Sequence, residues 1–158
     1  MTTTNELLKA ALKYHDEGHF VIPCRSGEKV PLVRWNRNAK RLSRGALIKF
    51  WDDPPGEPPD VALRVDDKTL ILDLDPQNHE RVQELYPDLV ASTRCSTTPN
   101  GGLHAWYTIE SPTRPRTYKG LDVLTRGRMV VVPPSKGREW TGKPLPIRAA
   151  QPNALVNS

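Results

Sequence analysis

Near the start of the chain apolar residues recur three and four positions apart, at Leu7, Leu8, Ala11 and Leu12, with His15 on the same stripe. That period predicts an amphipathic helix from about Asn5 to Glu17, capped by Thr4 and ended by Gly18. FVIPC at 20–24 then reads as a short strand, and RSGEKVPLVRWNRNAKR after it is polar, basic and irregular. Ser43 caps a second helix that runs to about Trp51. DDPPGEPPD, with four prolines in nine residues, reads as a surface loop. VALRV and TLILDLD follow, separated only by Asp66, Asp67 and Lys68, a spacing that predicts a β-hairpin. A helix is expected from Gln77 to Tyr86, with Val82, Leu85 and Tyr86 on one side and Pro87 as its stop. The stretches 91–98, 103–109, 121–125 and 128–132 alternate in strand fashion, with Gly or Pro between them. The order of elements predicts a mixed α/β or α+β protein whose second part is largely antiparallel.

The strand at 69–75 carries the first candidate chemistry. Alternation puts Leu70, Leu72 and Leu74 on one face and Ile71, Asp73 and Asp75 on the other. Two carboxylates about 7 Å apart along a strand repel each other unless a cation or basic group lies between them. The pair reads either as a solvated strand end capping the next helix or as a site for two divalent ions that assist phosphoryl displacement. TTPNGGLHAWY at 97–107 sets Gly101 and Gly102 before a strand with His104 and Trp106 on one face. Adjacent glycines let backbone N–H groups approach an anion, and His104 can reach the same phosphate; the plainer reading is a tight turn beside a core histidine. GLDVLTRGRMVVVPPS at 120–135 holds Asp122 on a strand and Arg126 and Arg128 around a turn glycine. Asp122 is an edge salt-bridge partner, or a third acid if its strand lies beside TLILDLD, with the arginines then placed for a triphosphate.

Charge and composition narrow the class. A length of 158 residues suits one domain or two small modules sharing a core, and one compact unit is expected. The net charge is +5, and the excess is concentrated: Arg25, Lys29, Arg34, Arg37, Lys40, Arg41, Arg44 and Lys49 face a single acid, Glu28. Such a stretch suits a polyanion or is a solvated basic face. Within it Trp35 stands among Lys29, Arg34 and Arg37, either stacking a base while the cations hold phosphates or anchoring the loop to a core. Only Cys24 and Cys95 are present, without Cys-x-x-Cys spacing, so no zinc site is expected. No signal peptide or apolar run of about 18 residues occurs, and a soluble intracellular protein is expected. The stretch 144–158 has linker composition, which predicts a core over 1–143 followed by a tail leading to further domains.

Taken in order, K-x-P then W (Lys29, Pro31, Trp35), D-x-D (Asp73, Asp75), T-x-x-G-G-x-H (Thr98, Gly101, Gly102, His104), G-x-D-V (Gly120, Asp122, Val123) and V-x-P-P-S (Val131, Pro133, Pro134, Ser135) form a pattern. Over residues 7–141 it resembles the bifunctional primase-polymerase N-terminal domain of phage and plasmid replication proteins, in the archaeo-eukaryotic primase superfamily. The resemblance implies an RRM-like module and an α/β module with the active-site cleft between them. It implies a DNA polymerase and primase that uses two Mg²⁺ or Mn²⁺ ions held by Asp73, Asp75 and Asp122, with His104 and its glycine turn on the nucleotide phosphates. Arg126, Arg128, Ser135 and Lys136 extend the nucleotide site, and Lys29, Arg34, Trp35 and Arg37 are expected on the nucleic acid. The implied partners are a single-stranded DNA template, a primer, dNTPs or NTPs, and a helicase domain fused or alongside, in the cytoplasm of a host cell. Some relatives insert a zinc-binding element, which two cysteines rule out here. The arginine usual after D-V is replaced by Leu124, with Arg126 two residues on. Two other classes compete: a metal-dependent nuclease, for which no E-x-K follows Asp75, and a catalytically silent single-strand-binding module.

Overall fold

The computed structural model describes residues 2–77, 80, 84, 93–110, 116–118, 121–141 and 146–149. Contacts divide the chain into two units: Met1–Val65 with Met129–Glu139, and Asp66–Arg128 with Trp140–Ser158. Each is built on its own sheet, so the class is mixed α and β with two largely antiparallel sheets. No helix among the described residues is long and apolar enough to cross a membrane.

In the first unit, helix α1 (Thr4–Asp16) starts one residue earlier than its pattern suggested, with Thr3 as the N-cap. Thr3 Oγ1 accepts from the Glu6 amide at 3.1 Å and the Glu6 carboxylate accepts from the Thr3 amide at 3.3 Å. That reciprocal box needs Glu three positions on, which Thr3 has and Thr4 lacks. Gly18, at φ +97°, ends the helix, with its own amide on His15 O and the His19 amide on Tyr14 O. Helix α2 (Arg44–Trp51) is capped by Ser43 as expected. Its last residue, Trp51, is buried and donates its indole N–H to Pro59 O at 2.9 Å, which fastens the proline-rich loop.

Strands β1 (Phe20–Arg25), β2 (Val30–Pro31) and β3 (Asp60–Arg64) join β9 (Met129–Val131) in the order β2-β1-β3-β9, all antiparallel. Phe20, Ile22, Cys24, Ala62 and Val131 form one buried cluster, covered by Val33, Trp35, Ala39 and Met129. Val21, Leu63 and Val130 occupy the alternate register row, and α1 packs on β1 and β3. Burial pushes the Cys24 thiol up to about 12, with the Asp60 carboxylate adding to the rise, and burial takes Cys95 to about 11. Both therefore stay protonated at neutral pH.

The second unit holds β4 (Thr69–Leu74), β5 (Cys95–Thr97), β6 (Leu103–Thr108), β7 (Arg116–Tyr118), β8 (Leu121–Leu124) and β10 (Arg148–Ala149). The sheet order is β10-β6-β4-β8-β7, with β5 also on β6, and only β10 runs parallel to its neighbour. The predicted β3–β4 hairpin does not form, because the two strands belong to different sheets. Each is already paired on both edges, β3 by β1 and β9 and β4 by β6 and β8, so neither has an edge to give the other. Asp66 Oδ1 accepts from the Lys68 amide and the Thr69 hydroxyl, an Asx turn that redirects the chain instead. The helix expected over 77–86 falls, apart from Gln77, Glu80 and Glu84, outside the described residues. Arg148 and Ala149, within the stretch of linker composition, pair with Tyr107 and Thr108.

Candidate active site

Strand β4 is a buried central strand with one polar opening. Leu70, Leu72 and Leu74 are fully buried with Ala105, Tyr107 and Val123 on the apolar face, each leucine contributing about 1.5–3 kcal/mol. The other face carries the chemistry, and register decides what meets there. Asp73 is the direct partner of His104 on β6 and of Asp122 on β8. His104 in turn faces Ser96 on β5. Directly opposed residues point the same way, so Asp122, Asp73, His104 and Ser96 make one polar row across four strands.

The His104 Nε2 lies 3.3 Å from Asp73 Oδ1, with the imidazole 8% and the carboxylate side chain 35% exposed. His104 Nδ1 is buried without a hydrogen-bond partner, a condition that costs about 1–3 kcal/mol and calls for a reason beyond packing. Asp73 and Asp122, as opposed like charges, also work against the sheet unless a cation or His104 offsets them. Asp75 lies one residue past the end of β4 and is exposed. Among the described residues no three His, Cys, Asp or Glu side chains are grouped closely enough to enclose a metal ion. The register brings two of the expected acids together and leaves the third at the strand's mouth.

The glycine pair serves a different local purpose from the one expected. Residues 98–102 form the turn from β5 to β6, and the Gly101 amide donates to Thr98 O at 3.1 Å. The Gly102 amide donates to Thr98 Oγ1, also at 3.1 Å, so both amides are used inside the turn and neither is turned to an anion. Gly101 sits at φ +83°, and a Cβ on Gly102 would lie 2.5 Å from Leu74 O and 2.9 Å from Thr98 Oγ1. The glycines thus let the turn close against the end of β4.

The basic candidates divide. Arg126 and Arg128 flank Gly127 in an exposed turn, where Arg126 pairs with Asp67 at 3.7 Å. Lys136 is exposed but shares a cavity with Glu57, Asp60 and Glu139. Ser135 corrects the nucleotide-site expectation. It is 1% exposed, and its hydroxyl accepts from the Val61 amide at 2.8 Å and donates to Val61 O at 3.1 Å. Val61 turns its amide and carbonyl toward β9, where its carbonyl also accepts from the Val132 amide at 2.9 Å; the Val132 carbonyl is taken by the Ser135 amide, so the Ser135 hydroxyl is the acceptor that the Val61 N–H finds. Ser135→Ala is expected to lose about 1–3 kcal/mol of stability from the stranded Val61 amide. Urea unfolding checks it, as a lower midpoint at unchanged slope. Lys29, at φ +55° in the β1–β2 turn, and Arg34 and Arg37 are exposed. Trp35 instead packs on the Phe20–Ile22 cluster and so anchors its loop.

One part of this face was not anticipated. Trp140 bridges to Ser96 at the outer edge of β5, which places it at the end of the polar row. Its ring centroid is 5.6 Å from that of Trp106, and the Arg94 guanidinium lies 3.9 Å over it. A lone bridge across so long a sequence interval leaves no periodic signal to find.

A family model described as bifunctional DNA primase/polymerase, N-terminal, matches residues 11–154. No curated protein matches the chain.

Proposed function

The chain belongs to the bifunctional DNA primase/polymerase N-terminal family, and from that premise we propose that it is a template-directed nucleotidyltransferase. It extends a primer 3′-hydroxyl, or starts from an initiating nucleotide, on single-stranded DNA during phage or plasmid replication. The observation that carries this reading is the register of β4, with Asp73 opposed by Asp122 on one side and His104 on the other. Two carboxylates set directly opposite each other are placed to share a cation, and the imidazole nitrogen without a hydrogen-bond partner beside them points the same way.

Asp73, Asp75 and Asp122 offer hard carboxylate oxygens, the donor type that Mg²⁺ and Mn²⁺ select, so the donor chemistry of this set, though not a closed grouping among the described residues, suits a divalent pair. When bound, such ions lower the pKa of the attacking hydroxyl and balance charge on the triphosphate and the departing pyrophosphate. The His104 Nε2 lies 3.3 Å from Asp73 Oδ1, close enough to orient that carboxylate. Arg128, exposed and not ion-paired among the described residues, is better suited by charge than Arg126 to meet the β- and γ-phosphates. No side-chain nucleophile is needed, since the reacting hydroxyl belongs to the nucleic acid. The basic stretch 25–49 meets the template through its phosphates, so binding weakens as salt rises. A helicase domain, fused or alongside, supplies unwound template in the host cytoplasm.

The test is primer extension. A 5′-labelled primer on a longer template is incubated with the protein, dNTPs and Mg²⁺ or Mn²⁺. Lengthened products are expected. Shortened primer would make the protein a nuclease, and a gel shift with no new product would make it a silent binding module; either outcome ends the polymerase reading.

A further inference from the structure

The basic stretch of the first unit contains a groove of about 480 Å³, with a floor of Val33, Ala39 and Leu42 and a rim of Arg34, Asn36, Asn38 and Lys40. We propose that this groove seats one unstacked base of the single-stranded template, with Arg34 and Lys40 on the flanking phosphates and Asn36 and Asn38 on the base edge. The proposal rests on the polymerase reading for the identity of its occupant and adds where that strand is held.

Charge argues for a polyanion. The groove is lined by two cations and no carboxylate. Other basic residues of the stretch are already engaged: Arg25 with Glu28, Arg44 with Asp16, and Arg41 with the carbonyls of His15 and His19. Arg34, Arg37 and Lys40 have no carboxylate partner among the described residues. Shape argues for a base between phosphates rather than for a bare anion. An apolar floor contributes little to a phosphate but accepts a flat ring, and carboxamides read the donor and acceptor pattern of base edges.

The groove is also preformed. Arg64 stacks on the Phe20 ring at 4.1 Å and donates to Asn36 O at 2.8 Å and to Trp35 O at 3.4 Å. The Ala39 amide donates to Asn36 O as well, at 2.9 Å. Val33, Trp35 and Ala39 pack on the sheet beneath. The loop has no regular secondary structure but is pinned on both sides, which lowers the ordering cost of binding.

The experiment is fluorescence anisotropy with labelled single-stranded dA, dC and dT oligonucleotides across a salt series, without metal or dNTP. Arg34→Ala/Lys40→Ala is expected to weaken all three oligonucleotides about tenfold and to lower the salt slope by about 1.4, roughly 0.7 for each phosphate contact removed. Asn36→Ala/Asn38→Ala is expected to leave that slope alone and to abolish a preference among bases of about fivefold or more in the wild type. All four side chains are exposed, so the fold is not at risk. A cationic double variant with wild-type affinity and slope overturns the proposal. So does a dNTP that displaces the oligonucleotide from the wild type but not from the variant, since the groove would then hold the incoming nucleotide. Primer extension by the wild type beside unaltered binding in both variants sinks the groove and leaves the polymerase; altered binding without any extension does the reverse.

Discussion

Asp73→Asn is expected to cut primer extension by about a thousandfold or more while leaving the fold intact, a loss of several kcal/mol at about 1.4 kcal/mol per tenfold. The substitution is nearly isosteric, and its amide oxygen can still accept from His104, so the β4–β6 contact survives. What disappears is one of the two negative charges that oppose each other across β4 and β8. Relief of that opposition and the weaker pairing of a neutral amide with His104 act in opposite directions, so the variant should unfold close to the wild-type temperature. A thermal-shift titration with Mn²⁺ supplies a second readout that needs no turnover. The wild type should gain about 2.7 kcal/mol at a hundredfold excess of the ion over its Kd, and the variant much less. Extension within about threefold of wild type, or an equal Mn²⁺ shift in both proteins, would remove Asp73 from the catalytic set.

The second large effect should come from a residue with no side chain. Gly102→Ala places a methyl group 2.5 Å from Leu74 O and 2.9 Å from Thr98 Oγ1. The nearer atom is backbone at the end of β4, so relief requires the strand or the turn to move, at about 1–3 kcal/mol for overpacking. Movement there is felt on both sides of Leu74, at Asp73 and Asp75. The expected result is a lower urea midpoint together with a loss of extension larger than the loss of stability explains. A variant that keeps wild-type stability would mean that the turn accommodates a Cβ and that its closeness to β4 is incidental.

The parts legible in the sequence were those whose cause is local. Ser43 and Trp51 bound α2 as read, and the leucine face of β4 packs as its alternation required. The N-cap of α1 moved from Thr4 to Thr3 because the decision belongs to Glu6, three residues ahead, in a run of three threonines. The β3–β4 hairpin failed for a different reason: a short polar link says that two strands are close in sequence but not which edges are taken. At the site, Asp73, His104 and Asp122 were found as a motif order, and their meeting in one row follows from sheet register. Ser135 belongs to the same order yet works on the Val61 backbone, because pattern alone does not separate a residue that touches substrate from one that holds a strand. Trp140 joins the row through a single bridge.

The sheet of the first unit is closed by a strand that is made late. Ala62 and Val131 are partners on β3 and β9, and the whole of Asp66–Arg128 lies between them in sequence. On the ribosome, β3 therefore waits with one edge open while the intervening unit emerges, and only then can β9 dock. A nascent chain in that state presents an unpaired, apolar edge of the kind that recruits chaperones or other copies of itself. Ring closure over so long an interval is a slow, non-local step, and it ties completion of the first unit to the presence of the second. Truncations anywhere before Met129 would inherit that open edge permanently.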